Sequence, residues 1–147
     1  MTAPSTSRPA VRGHEGTLPW EWAAERLESS RNFWLSTYSA ERGPHARPIW
    51  ALWTDDGLLF TSARTTRKAR DFEVEPRVSV HAELVREVVV VEGTVEEASP
   101  SAGEIEAYAG KYGWTPPDSQ TWYVVRPARA FAAIEALFPA QATEYRF

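Results

Sequence analysis

One short stretch of this chain combines residue types that could bind an anion. Residues 65–70 read Thr-Thr-Arg-Lys-Ala-Arg, after a strand-like run and at the start of a short helix-like one. Because the first backbone N–H groups of a helix are unpaired and its dipole is positive there, acidic residues are favoured at this position. Here the candidate caps Thr65 and Thr66 are followed by Arg67 and Lys68 instead. Such a start becomes favourable when an anion, most obviously a phosphate, sits against it.

The same basic residues have a second interpretation, as a solvated face of the protein. Runs of like charge usually serve that role. Arg70 lies three residues after Arg67 and on a helix would join the same cluster, whereas Arg64 would extend the cluster on the other side. Residue type alone therefore leaves a phosphate site and a solvated face as alternatives.

The composition of the 147-residue chain excludes several functional classes. The chain has no cysteine, which excludes a disulfide framework, a thiol nucleophile and a thiolate metal site. Its net charge of −4 argues against a nucleic-acid partner, since such binding neutralises many phosphates. His14, His45 and His81 lack the spacing of metal ligands, so we expect no metal site.

Length and patterning predict one cytoplasmic domain with a tail. No apolar stretch is long enough for a membrane span, and the N-terminus lacks a secretion signal, so we expect no membrane association. Residues 1–16 mix polar residues with Pro and Gly without apolar periodicity, which predicts a disordered tail before a single domain at 17–147. Seven Trp, five Tyr and six Phe suit a packed β-core, an interface or a pocket for a flat ring.

Apolar periodicity predicts a mainly β protein with short helices. An amphipathic helix begins after Pro19, and a later one is expected to have Ser99 as its N-cap and to stop at Gly113. Pro48 predicts that its strand lies at an edge of the sheet or contains a bulge. Gly93 predicts a bulge in its own strand. Six segments are predicted as strands, 32–39, 45–53, 58–62, 77–82, 87–97 and 121–125; a seventh at 131–136 is ambiguous between strand and helix, and 143–147 could add a final short strand. Antiparallel strands at hairpin spacing favour a small closed barrel.

Three segments carry a resemblance to a known family. Arg-Lys-Ala-Arg at 67–70 is followed by Glu-Pro-Arg-Val-Ser-Val at 75–80 and by Val-Glu-Gly-Thr-Val-Glu at 91–96. In this order they resemble the pyridoxamine 5′-phosphate oxidase-like family of FMN-binding split barrels, which also contains deazaflavin F420-dependent reductases. Weaker similarity extends from residue 18 to the C-terminus. The resemblance implies a six-stranded antiparallel split β-barrel of Greek-key type.

The resemblance also implies roles for individual residues. Arg67 and Lys68 would bind the cofactor phosphate, Arg47 on the second strand would reach the same group, and Ser62 would add a hydroxyl contact. Trp50, near Arg47, is a candidate for a ring or interface contact, with plain core packing as the alternative. Members of the family are usually homodimers that share each site between two chains, so we expect a homodimer. The predicted cofactor-binding residues are Arg47, Trp50, Ser62, Thr66, Arg67, Lys68 and Arg70.

The chain departs from pyridoxamine phosphate oxidases proper at several positions. Leu52 replaces their second-strand lysine, their fifth-strand glutamine falls near Glu87 or Val88, and their long C-terminal segment for pyridoxal phosphate has no counterpart. We therefore expect no oxidation of vitamin B6.

The resemblance predicts an oxidoreductase that moves a hydride between a bound flavin or deazaflavin and a small molecule. FMN is ranked above F420, whose carboxylate tail needs a longer positive groove. No side chain is assigned to catalysis. The alternative is a non-catalytic protein that binds or carries a flavin or F420.

Overall fold

Nine antiparallel strands and three α-helices build the fold in a computed structural model that describes residues 2–147. The strands are β1 (Thr6–Pro9), β2 (Phe33–Ser39), β3 (Gly43–Ile49), β4 (Leu52–Thr54), β5 (Gly57–Ser62), β6 (Arg77–Ala82), β7 (Glu87–Glu97), β8 (Thr121–Ile134) and β9 (Thr143–Arg146). The helices are α1 (Trp20–Ser29), α2 (Arg67–Val74) and α3 (Ala102–Tyr112), and a 3-10 turn covers Glu135–Leu137.

The strands form a split barrel, which confirms the predicted fold class. The sheet runs in the order β1-β9-β8-β7-β6-β2-β3, and β5 pairs with both β4 and β8. Strand β8 is long enough to pair with β7 along one edge and, along the other, with β5 at its start and β9 further on. Because β3 continues through two residues into β4, the chain itself closes the barrel.

Alternating side chains fill the core as the strand periodicity predicts. On β7, Val89, Val91, Gly93 and Val95 are buried, while the residues that alternate with them are more exposed. The ladder between β7 and β8 shifts register between Glu92 and Gly93, which confirms the predicted bulge. At this bulge the backbone of β8 approaches so closely that a Cβ atom on Gly93 would lie 1.9 Å from the Arg126 carbonyl oxygen.

Helix α3 satisfies the backbone where the barrel opens between β3 and β4. The Ala51 N–H donates to the Tyr112 hydroxyl at 2.9 Å, and the Tyr112 hydroxyl lies 2.8 Å from the Ala51 carbonyl oxygen, which it can donate to. Lys111 Nζ donates to the same carbonyl at 3.0 Å. Each buried backbone group left without a partner would cost about 1–3 kcal/mol. The break in the sheet therefore fixes the end of α3 against it.

The N-terminal segment differs from the prediction of a disordered tail. Strand β1 pairs antiparallel with β9, from Thr6 opposite Arg146 to Pro9 opposite Thr143. Local composition could not reveal this pairing, because it depends on the free edge that β9 offers at the far end of the chain.

The strand count and one helix cap also differ from the predictions. There are nine strands instead of six, since the predicted second strand is divided into β3 and β4, β1 was not predicted, and the possible final strand at 143–147 is present as β9. Residues 131–134, which were ambiguous between strand and helix, continue β8. The N-cap of α3 is Ser101, not Ser99. Ser101 and Glu104 form a reciprocal capping box, which Ser99 lies too early to make. Gly113 ends the helix in the left-handed conformation, as predicted.

None of the helices in residues 2–147 has the length and apolarity needed to cross a bilayer. The cytoplasmic location stays a prediction.

We expect Gly93→Ala to destabilise the protein by about 1–3 kcal/mol, because the added methyl group would meet backbone that is fixed by two strand ladders. Gly110→Ala is the matched control, since Gly110 is exposed on α3 and a Cβ atom there meets nothing within 4 Å. That change should stabilise the helix by about 0.5–1 kcal/mol. Urea unfolding of both variants measures the difference, and a similar effect of the two substitutions would contradict the close approach at the bulge.

Candidate functional site

The start of α2 has the polar cap and the basic first turn that the sequence predicts. Thr66 is the N-cap, and its hydroxyl accepts a hydrogen bond from the Ala69 N–H at 3.3 Å. The hydroxyl groups of Ser62 and Thr66 lie 2.8 Å apart, which links the end of β5 to the helix. No acidic residue stands in the first turn of this helix. The charged side chains at the positive end of the helix, Arg67 and Lys68, are therefore both cationic.

Lys68 and Arg47 are cations without an acidic partner among the described residues. Lys68 is half-buried, and burial, followed by the nearby charge of Arg47, lowers its pKa. Arg47 is exposed on β3, and its guanidinium donates to the Ala46 carbonyl at 2.8 Å. The structure therefore brings the predicted Arg47 and Lys68 together from separate elements, at a place where an anion would relieve their repulsion.

A buried carboxylate, Asp71, fixes α2 against the sheet. It accepts hydrogen bonds from Arg42 at 2.6 Å and from the Thr37 hydroxyl at 2.9 Å. Burial raises the pKa of Asp71, but these two hydrogen bonds and the charges of Arg42 and Arg67 outweigh it and keep the pKa below its ordinary value. Since Arg67 Nε lies 3.8 Å from Asp71, the carboxylate also orients that guanidinium.

Arg67 keeps a donor free despite this contact. Its terminal nitrogen donates to the Arg42 carbonyl at 3.2 Å, whereas its buried Nε makes no hydrogen bond within residues 2–147. A buried donor without a partner costs stability unless a ligand satisfies it. The two unpaired cations Arg47 and Lys68, with the guanidinium of Arg67 nearby, supply donors that fit a phosphate.

An aromatic cleft of about 660 Å³ opens beside Lys68. Trp50, predicted as a ring contact, stacks on Tyr112 with ring centroids 4.7 Å apart and an interplanar angle of 9°. Trp114 meets Trp50 edge-on at 6.1 Å. The cleft therefore combines one cationic side with flat apolar walls, which suits a planar ring that carries a phosphate.

Two tyrosines of α3 that were not among the predicted site residues line this cleft. Tyr108 and Tyr112 are buried, yet both face the cleft. Burial raises the pKa of Tyr112 to about 12, so its hydroxyl stays protonated near neutral pH. Their helical spacing placed them on one face, but no local signal could show that this face covers the break between β3 and β4.

Lys111, next to Tyr112, is a second half-buried lysine that the sequence did not single out. Burial, followed by the charge of Arg31, lowers its pKa to about 8. Its hydrogen bond to the Ala51 carbonyl gives it a structural role at the barrel break.

His45 is a further residue that sequence reasoning missed. It stands on β3 opposite Thr37, two residues before Arg47, and its Nδ1 is buried without a hydrogen-bond partner in the described part of the chain. Burial, followed by the charges of Arg47 and Arg67, lowers its pKa. One sequence signal could have identified His45 as a site residue. Side chains alternate along a strand, which places His45 and Arg47 on the same face.

Arg70 is not brought to the cleft. It is exposed and lines a separate groove with Tyr38 and Arg42. The reason is helical rotation, since Arg70 lies two positions after Lys68, which corresponds to about 200° around the helix axis. Arg64 forms an ion pair with Glu97 at 2.6 Å on the surface, so it does not extend the cationic side of the cleft either.

No group of three or more His, Cys, Asp or Glu side chains in residues 2–147 is arranged to hold a metal ion.

Solved structures share this fold at low sequence identity. A structure described as F420 reductase matches with a TM-score of 0.61 and 20% identity, covering 82% of this chain and 98% of that one. The heme storage protein HutZ from Vibrio cholerae matches with a TM-score of 0.61 and 16% identity, covering 76% and 90%. PhzG from Burkholderia lata 383, in complex with tetrahydrophenazine-1-carboxylic acid, matches with a TM-score of 0.54 and 14% identity, covering 78% and 76%.

These likenesses extend to the fold alone, and no curated protein was found to match the sequence. The model of the family described as pyridoxamine 5′-phosphate oxidase, however, matches residues 20–134, which is most of the chain and includes the basic start of α2, the barrel break and α3. The chain therefore belongs to the pyridoxamine 5′-phosphate oxidase family.

Proposed function

We propose that this protein is an oxidoreductase that binds FMN and passes a hydride between the flavin and a small molecule. The observation that carries the proposal is the half-buried Lys68, which lines an aromatic cleft and has Arg47 near enough to lower its pKa, with no acidic partner for either cation among the described residues. A phosphate would offset the positive charge of these two cations, and a flat ring would fit against the walls formed by Trp50 and Tyr112.

The chain's own residues would bind and orient the cofactor. Lys68, Arg67 and Arg47 would hold the phosphate, and the Thr66 cap keeps the first turn of α2 in place for this contact. FMN, when bound, supplies the hydride chemistry. The aromatic side chains of the cleft would exclude water from the ring, which strengthens the charge contacts at the phosphate.

The cleft favours FMN over F420. F420 carries an oligoglutamate tail that needs further cations, but Arg64 is paired with Glu97 and Arg70 lies in a separate groove. F420 is the second candidate, supported by the structural likeness to F420 reductase.

A non-catalytic role in binding or carrying the cofactor is the alternative function. The fold match to a heme storage protein shows that this architecture also serves storage. The roles proposed for the residues of the cleft are all binding roles, and none is an acid or base for proton transfer. The same residues would therefore also serve a protein that binds the cofactor without turnover.

We expect Lys68→Ala to weaken FMN binding about 10- to 150-fold, because it removes a charge-assisted contact worth roughly 1.5–3 kcal/mol. Arg70→Ala is the matched control on the same helix and should change affinity less than about twofold, since Arg70 lies outside the cleft. Flavin fluorescence titration gives the affinities, and thermal melting shows that both variants fold. Parallel titration with F420 decides the ranking, and binding of F420 without FMN would reverse it.

We expect the protein loaded with reduced FMN to transfer electrons to a small acceptor, which oxidises the flavin, faster than free reduced FMN does. With a small quinone as the probe under anaerobic conditions, the rate should saturate with quinone concentration, because the acceptor must enter the cleft beside the ring. The control is Lys68→Ala at an FMN concentration that leaves it largely unloaded. Tight FMN binding with a rate no higher than that of free reduced FMN would support the carrier instead.

We also propose a homodimer, in which two chains share each site. The half-exposed Trp50 and Trp114 at the cleft support it, since exposed aromatic side chains are frequent at interfaces. Sedimentation velocity at low micromolar concentration should give twice the mass of one chain. A monomer that still binds FMN would show that one chain is sufficient for the site.

A further inference from the structure

His45 occupies a position in the cationic site that the binding model above does not use. On β3 it faces the same side of the sheet as Arg47, and across the ladder it stands opposite Thr37, whose hydroxyl donates to Asp71. Its Nδ1 is buried and has no hydrogen-bond partner among residues 2–147. A buried ring nitrogen without a partner is uncommon, and a ligand bound at the neighbouring cations would satisfy it.

The charges around His45 are unbalanced. A positive charge on the imidazole is opposed by three cations, Arg47 on the same strand and Arg67 and Lys68 on α2. The charge of Asp71 favours it. The two oxygens of Asp71 already accept hydrogen bonds from Arg42 and Thr37. Burial acts in the same direction as the three cations, so the free protein holds His45 neutral near pH 7.

We propose that His45 is a fourth binding residue of the phosphate site and takes up a proton from solvent when a phosphate monoester binds. This inference rests on the proposed function only in taking the ligand to be a phosphate. The incoming dianion offsets the charges of Arg47, Arg67 and Lys68, so that a positive imidazole is no longer opposed. Protonation makes both ring nitrogens donors, which gives Nδ1 a proton to donate.

The direction of the pH dependence follows from this linkage. The bound anion raises the pKa of His45 above its value in the free protein, so binding takes up protons. Binding therefore strengthens as the pH falls from the pKa of the bound protein to that of the free protein. A single linked proton changes the affinity by at most about tenfold per pH unit. The phosphate itself acts in the opposite direction below about pH 6, where its second ionisation is lost.

The test compares His45→Gln with His14→Gln. Glutamine keeps hydrogen-bonding capacity without titrating in this range, and His14 is an exposed histidine near the N-terminus, so its variant is a matched control. Calorimetric titration with FMN at pH 7, in two buffers of different ionisation enthalpy, counts the protons taken up. We expect net uptake of a large fraction of one proton in the wild type and in His14→Gln, and close to none in His45→Gln.

A second measurement keeps the test independent of FMN. The pKa of His45 is followed by NMR with saturating inorganic phosphate and with chloride at equal ionic strength. Phosphate, but not chloride, should raise it. This rise would support the inference even if FMN does not bind, in which case only the proposed function fails. An unchanged His45 pKa in phosphate, or equal proton uptake in His45→Gln and wild type, would overturn the inference.

Discussion

The hydrogen bonds that α3 makes to Ala51 are the interaction on which the site depends. A barrel strand that stops pairing leaves backbone groups that must be satisfied elsewhere, because the interior offers no water to replace the lost partners. The Tyr112 hydroxyl and the Lys111 ammonium take that role. By holding α3 over the break, they also place the tyrosine rings beside Trp50. The same contacts that preserve the barrel therefore create the aromatic wall of the cleft.

Charge is distributed unevenly around α2, and this distinguishes a binding site from an ordinary solvated face. Asp71 is fully buried and compensated by Arg42 and Thr37, so it anchors the helix. Lys68 and Arg47 have no acidic partner among the described residues. Because Lys68 is half-buried, solvent does not fully screen its positive charge either. The two environments lie within a few residues of each other along one helix. One stabilises the fold, and the other keeps cations available for an anion.

Membership of the family does not decide the activity. The same barrel occurs in a structure described as F420 reductase and in a heme storage protein, so the architecture accommodates different ligands. Differences in function must come from side chains at the cleft. In this chain the cleft is lined by a lysine at the start of α2 and by aromatic rings from α3 and the barrel break, and Arg47 on β3 lies near that lysine.

Local signals in the sequence determined the class of the fold and half of the site. Alternating apolar residues predicted the barrel strands, Gly93 predicted the bulge, and Thr66 followed by two basic residues predicted the start of α2, because periodicity, backbone sterics and helix capping act over a few residues.

The tertiary structure alone decided which distant groups meet. It paired Thr6–Pro9 with β9, turned Arg70 away from Lys68, set Tyr112 into the cleft and buried Nδ1 of His45 near the cations of α2. These outcomes depend on strand pairing across most of the chain and on the rotation of a helix against its neighbours. Neither is encoded in any short segment, since each is fixed by burial and hydrogen bonding summed over the whole barrel.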